Sequence, residues 1–177
     1  LNVSSGEFTW FLNAGDTFTT SNTLTHAVLQ ISAEDSSVVI GGYSIKSSER
    51  ELVYSYTTNH LSALRFAFNR RGGCHQAMIF RSNILKRIGG FNTLYSLASD
   101  FDLVLRIILE SKVLRVPEIY ASIEPGGRAD QSIFQVHKEK HQIRRELLGG
   151  VEIYAFSLIW TYLARIKIGF RKFIELL

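Results

Sequence analysis

The chain is 177 residues long, with 46% hydrophobic and 20% charged residues and a formal net charge of +4. That is enough apolar matter for one folded core and excludes a disordered chain. Two prolines and 13 glycines exclude collagen-like or linker composition, and the lone cysteine, Cys74, excludes an internal disulfide and suits a reducing compartment.

Residues 8–12 (FTWFL) are aromatic and β-branched and predict a buried strand that opens into the polar loop Asn13-Ala14-Gly15-Asp16. Ser21 and Asn22 can cap a helix over 23–32, with Leu24, Ala27, Val28 and Ile31 on one face. Residues 37–41 form the next buried strand, and 43–45 and 51–56 read as strands joined by a polar turn. A loop and short helix follow over 57–68, then a basic, glycine-rich stretch through Arg70, Arg71, Gly72 and Gly73. Residues 77–80 predict a strand, and a helix begins at Ser82 and Asn83 and stops at Gly89-Gly90. Ser99 can cap a helix over 100–111, with Leu103, Ile107 and Ile108 inward. Strands over 113–116 and 119–123, a loop opening at Gly126-Gly127 and a charged helix over 135–148 complete the alternation, which makes the class α/β.

From 151 to 177 apolar residues recur at helical spacing among Arg165, Lys167, Arg171 and Lys172. The longest charge-free run, 153–164, is shorter than the roughly 20 residues that span a bilayer. This basic amphipathic helix can lie in a membrane interface or pack on the rest of the chain or on a second subunit. The expected organisation is therefore 1–148 as one folded unit and 149–177 as a helical tail.

Four stretches can carry chemistry. Asp16 is a carboxylate at the end of a strand, where α/β sheets place ligands, and hard cations bridge such carboxylates to phosphates. Gly15 permits close approach of a diphosphate, and Asn13 offers an amide. The same residues also make a plain turn. Asp100 and Asp102 sit at a helix start, either as caps or with one as a general base; two positions apart, they point in different directions. His75, beside Gln76, can donate to a phosphate or serve structure, and Cys74 reads as packing. Arg128, after Gly127, can close over a diphosphate or belong to a surface loop. His137 and His141, four apart, are a bare metal-pair spacing without further ligands.

Taken in order, residues 6–16, Cys74-His75-Gln76, Ile88-Gly89-Gly90-Phe91-Asn92, Ser99-Asp100-Phe101-Asp102-Leu103 and Gly126-Gly127 resemble family-two glycosyltransferases of the GT-A fold, on the side of bacterial polysaccharide-biosynthesis enzymes similar to colanic-acid-type transferases. The resemblance spans residue 6 to about 146. It implies a partial GT-A fold, a Rossmann-like mixed sheet flanked by helices. It further implies inverting, metal-dependent transfer from a nucleoside-diphosphate sugar to a glycan or lipid-linked acceptor, in the cytoplasm or at the inner face of the plasma membrane. Asp16 is the implied ligand of Mg²⁺ or Mn²⁺ and Asp100 the implied base. Asn13, Gly15, His75, Gln76, Asp102, Gly127 and Arg128 are the implied substrate contacts. The family's first half has no counterpart here, so the chain reads as a piece with an incomplete donor pocket. A non-catalytic sugar- or nucleotide-binding remnant is the alternative. Nucleic acid is not an expected partner, because the basic residues gather on a greasy tail.

Overall fold

Runs of β-branched and aromatic residues become strands here because their alternate side chains find apolar cover on two opposite faces. The computed structural model describes residues 4–46, 50–57, 59–68, 73–125 and 132–149. Its elements are β1 (Phe8–Trp10), β2 (Thr17–Phe18), α1 (Thr23–Ala33), β3 (Val38–Lys46), β4 (Glu51–Tyr54), β5 (Asn59–His60), α2 (Ala63–Phe68), a 3₁₀ turn (His75–Ala77), β6 (Met78–Arg81), α3 (Ser82–Ile88), α4 (Ser99–Glu110), β7 (Val113–Ile123) and α5 (Ile133–Leu148).

The strands form one mixed sheet in the order β1-β6-β3-β7-β2, with β4 added to β3 and β5 to β7. β3 and β7 are parallel and the other pairs are antiparallel. Side chains alternate across it as the pleat requires. Val38, Ile40, Met78 and Phe80 enter a core with residues of α2, α3, α4 and α5, including Phe66, Leu85, Leu103, Ile107 and Ile143. Val39, Ile79, Leu114 and Val116 point the other way, onto Ala27 and Ile31 of α1. The expected α/β architecture is therefore present, with helices on both faces.

Several local expectations change. Residues 37–41 and 43–45 are not separate strands but one, β3, with register shifts at Gly42. A Cβ on Gly41 would stand 2.2 Å from Tyr120 Cδ2, and one on Gly42 would stand 2.5 Å from the Tyr54 carbonyl oxygen. These glycines allow close packing rather than ending the strand. The two strands expected over 113–123 also merge, into β7. Pro117 is exposed and sits where the β3–β7 register slips, so its missing N–H breaks no ladder bond. β1 is a half-buried edge strand of three residues, not a buried one. Neither Asn22 nor Ala98, the residues preceding α1 and α4, makes a side-chain capping bond, and Ser99 lies inside α4. On α1 the inward stripe is Thr23, Ala27 and Ile31, while Leu24 is 49% exposed. Gly89, with φ +83, ends α3 as expected. Residues 70–72, the 126–131 loop and the 151–177 tail lie outside the described residues.

Gly41→Ala should destabilise the fold by about 1–3 kcal/mol through overpacking against Tyr120. The loss should shrink in a Tyr120→Leu background. Urea denaturation of the double-mutant cycle checks this, and no coupling between the two positions would contradict the packing.

Candidate active site

β1 delivers the chain to the loop at 11–16, where Gly15 adopts φ +91 and the Asp16 N–H donates to the Asn13 carbonyl at 3.2 Å. β2 then pairs with Ala121 and Ser122 near the end of β7. That short pairing sets Asp16 against the chain leaving β7. The Glu124 N–H donates to Asp16 Oδ1 at 3.3 Å, and Glu124 Oε2 lies 2.8 Å from where a Cβ on Gly15 would stand. Asp16 Oδ2 is buried and has no hydrogen-bond partner among the described residues. An ionised carboxylate oxygen in that position is costly unless a cation or donor completes it. Asn13 is exposed beside it.

A second group assembles where the 73–77 segment meets the start of α4. His75 Nδ1 is 3.4 Å from Asp100 Oδ2, with side chains 23% and 37% exposed. Asp100 Oδ1 accepts the Phe101 N–H at 2.7 Å. Burial opposes ionisation of Asp100, but the His75 hydrogen bond, the Lys140 charge and the Phe101 N–H hold its carboxyl below the usual carboxylate value. Asp100 is thus an ionised acceptor at neutral pH, with part of its surface reaching solvent. Lys140, on α5, has its Nζ 5.1 Å from the centre of the Phe101 ring. Burial pulls its ammonium down, Asp100 pushes it back up, and Arg144 opposes it.

Cys74 lies within electrostatic reach of both groups. Burial pushes its thiol up to about 12, and the charges of Asp100 and Asp16 push the same way against the Gln76 bond and Lys140. A thiol so placed stays protonated and is no nucleophile.

Two further implied contacts are buried. Gln76 is buried, its side-chain oxygen accepting from the Cys74 thiol and its carbonyl from Trp10 Nε1 at 2.7 Å. Asp102 is also buried, and its Oδ2 accepts from Arg106 Nε at 2.9 Å and Nη2 at 2.7 Å. Arg106 in turn donates to the carbonyls of Ile88 and Gly90. Both side chains are buried and hydrogen-bonded within the fold. Gly127 and Arg128 lie outside the described residues. Among the described residues no group of three His, Cys, Asp or Glu side chains converges as a metal site, so His137 and His141 gain no third ligand.

Glu124 and Lys140 were not singled out from the sequence. Glu124 could have been noticed as the carboxylate next to the glycine loop, whereas nothing in the periodicity of α5 distinguishes Lys140 from its charged neighbours.

No family model matches the sequence, and no curated protein does. Solved structures do match. The TarS 1–349 fragment of S. aureus in complex with UDP-GlcNAc aligns with TM-score 0.65 and 17% identity over 91% of this chain and 50% of that one. Its UDP complex aligns with TM-score 0.63 and 17% identity over 89% and 47%. A longer TarS structure aligns with TM-score 0.58 and 18% identity over 83% and 29%. The chain therefore has part of a glycosyltransferase fold, and it spans about half the length of the TarS fragments it matches.

At pH 8, Cys74 should react with a thiol reagent at least about 100-fold more slowly in the folded chain than in urea, where an ordinary thiol pKa near 8.5 returns. Equal rates would contradict the buried thiol. Arg106→Ala should cost about 3–5 kcal/mol by stranding Asp102, as read by chemical denaturation.

Proposed function

We propose that the chain is the acceptor-side part of a family-two, GT-A-type glycosyltransferase, which moves a sugar from a nucleoside-diphosphate donor to a glycan or lipid-linked acceptor with inversion. The observation that carries the reading is the buried, unpartnered Asp16 Oδ2 at the edge of a site that also presents an ionised Asp100. The neighbours' complexes with UDP and UDP-GlcNAc supply the donor class.

The residues fit a divalent cation, Mg²⁺ or Mn²⁺. Asp16 would hold it, with the Glu124 carboxylate beside it against Gly15. Such a cation neutralises charge on the departing diphosphate. Asp100 takes the proton from the acceptor hydroxyl as the new bond to the anomeric carbon forms. The bond from that carbon to the diphosphate oxygen breaks, and its electron pair leaves with the diphosphate. His75 holds the Asp100 carboxylate in place, and Lys140 adds positive charge beside it. No covalent sugar–enzyme species is needed.

One second reading is a module that binds nucleotide sugar without turnover, because Asp16 is the sole carboxylate of the 13–16 motif. Peripheral contact of 151–177 with the inner face of the plasma membrane is proposed from its basic amphipathic pattern alone. Among the described residues no helix is long and apolar enough to cross a membrane.

A donor screen with nucleoside-diphosphate sugars, read as diphosphate release and transfer, tests the proposal. Asp100→Asn should lower kcat by at least about 100-fold and leave donor Kd unchanged. Asp16→Asn should weaken Mn²⁺-dependent UDP binding in calorimetry. Full activity in both variants would overturn the residue roles, and donor binding without transfer by the unaltered protein would favour the second reading.

A further inference from the structure

Glu139 is a buried carboxylate that plays no part in the reaction just described. It lies on α5 with only 6% of its surface exposed, and takes bonds from four donors. Its Oε2 accepts the Leu97 and Ala98 N–H groups, both at 2.9 Å. Its Oε1 accepts Ser96 Oγ at 3.1 Å and Gln135 Nε2 at 3.2 Å.

Three of these donors belong to the segment immediately before α4. Ala98, the residue preceding that helix, has no side-chain oxygen and makes no side-chain capping bond. A carboxylate from α5 therefore satisfies the N–H groups of the two residues just before the helix and places negative charge near the positive end of its dipole. Seven residues on, along the same face of α5, Glu146 accepts a hydrogen bond from Tyr95 Oη at 2.5 Å. The segment 95–98 is thus pinned to α5 at two points.

Asp100 is the second residue of α4, so the position of its carboxylate follows from where this segment is held. We propose that Glu139 is a positioning residue, which holds the start of α4 so that the Asp100 carboxylate stands against His75. The charged and titratable groups around Asp100 are His75 and Cys74 from the segment before β6 and Lys140 from α5. Lys140 is the next residue after Glu139, so one helix sets both the backbone under Asp100 and a cation beside it. Burial opposes ionisation of Glu139 itself, and the Leu97, Gln135, Ala98 and Ser96 donors nonetheless hold its carboxyl below the usual value, consistent with a permanent anion. The catalytic side of the inference rests on Asp100 being the base; the geometric side does not.

The test follows the Asp100 carboxyl carbon by NMR through an acid titration of the full chain, in the unaltered protein and in Glu139→Ala and Glu139→Gln. Loss of the His75 and Phe101 contacts should raise the Asp100 midpoint towards the ordinary aspartate value in Glu139→Ala. Glu139→Gln keeps an acceptor oxygen for the backbone and should give an intermediate rise. Where transfer is measurable, kcat should fall in the same order, by up to about 100-fold, with donor KM nearly unchanged. A folded Glu139→Ala chain with an unaltered Asp100 titration would overturn the proposal. Should that variant fail to fold, an unaltered titration in Glu139→Gln would overturn it equally. A shifted titration would uphold the positioning of Asp100 whether or not the chain transfers sugar.

Discussion

The parallel pairing of β3 with β7 organises the rest of the molecule. Parallel neighbours need apolar cover on both faces, because neither can turn a polar face to water as an antiparallel hairpin does. β3 meets that demand with a buried run from Val38 to Gly42, covered by α1 on one side and by the α2–α5 group on the other. The chain between the two strands must cross and return, and in doing so it lays down β4, β5 and β6 and the helices α2, α3 and α4. The register also decides what the strand ends present. β3 and β7 run side by side to Ile45 and Ile123, so the chain leaves the sheet at Glu124, next to the loop that carries Asp16.

The two aspartates of α4 show how one helix turn separates structure from chemistry. Residues two apart on a helix point to opposite sides. Asp102 faces the interior, where Arg106 neutralises it and takes up the carbonyls of Ile88 and Gly90 near the end of α3. Those carbonyls belong to a helix end that lacks intrahelical donors. The same ion pair therefore joins α4 to α3 and leaves Asp100 on the side that meets His75. A buried pair of this kind adds little net stability over apolar packing, but it fixes orientation, because breaking it strands a charge.

Burial also sets the electrostatics around Asp100. Arg144 is buried among Phe68 and Phe101 with its guanidinium pushed down to about 10, and Lys140 is displaced downward too. Cations held in a partly desolvated wall act on nearby anions more strongly than solvated ones, because less water screens them. The Asp100 carboxylate and the Cys74 thiol both lie within the field of Lys140.

Much of the fold was legible along the chain. The glycine stop after α3, the inward face of α4 and the strand-rich runs at 37–45 and 113–123 follow from local periodicity and turn chemistry, which report which way a side chain faces. Asp16 in a loop and Asp100 at a helix start could be named on the same grounds. Periodicity does not report what stands opposite. Gly41 resembles a strand stop until Tyr120 is seen against it, and β2 is two exposed residues that only β7 makes into a strand. The burial of Gln76 and Asp102 and their partners Cys74 and Arg106 are likewise tertiary facts. Glu124 is 108 residues from Asp16, and Glu139 is 41 from Ala98. The sequence by itself determined the α/β alternation and the placing of carboxylates at element ends. Tertiary structure alone decided which of them stay in the site, because burial and hydrogen-bond partners are set by chain crossings that no local spacing encodes.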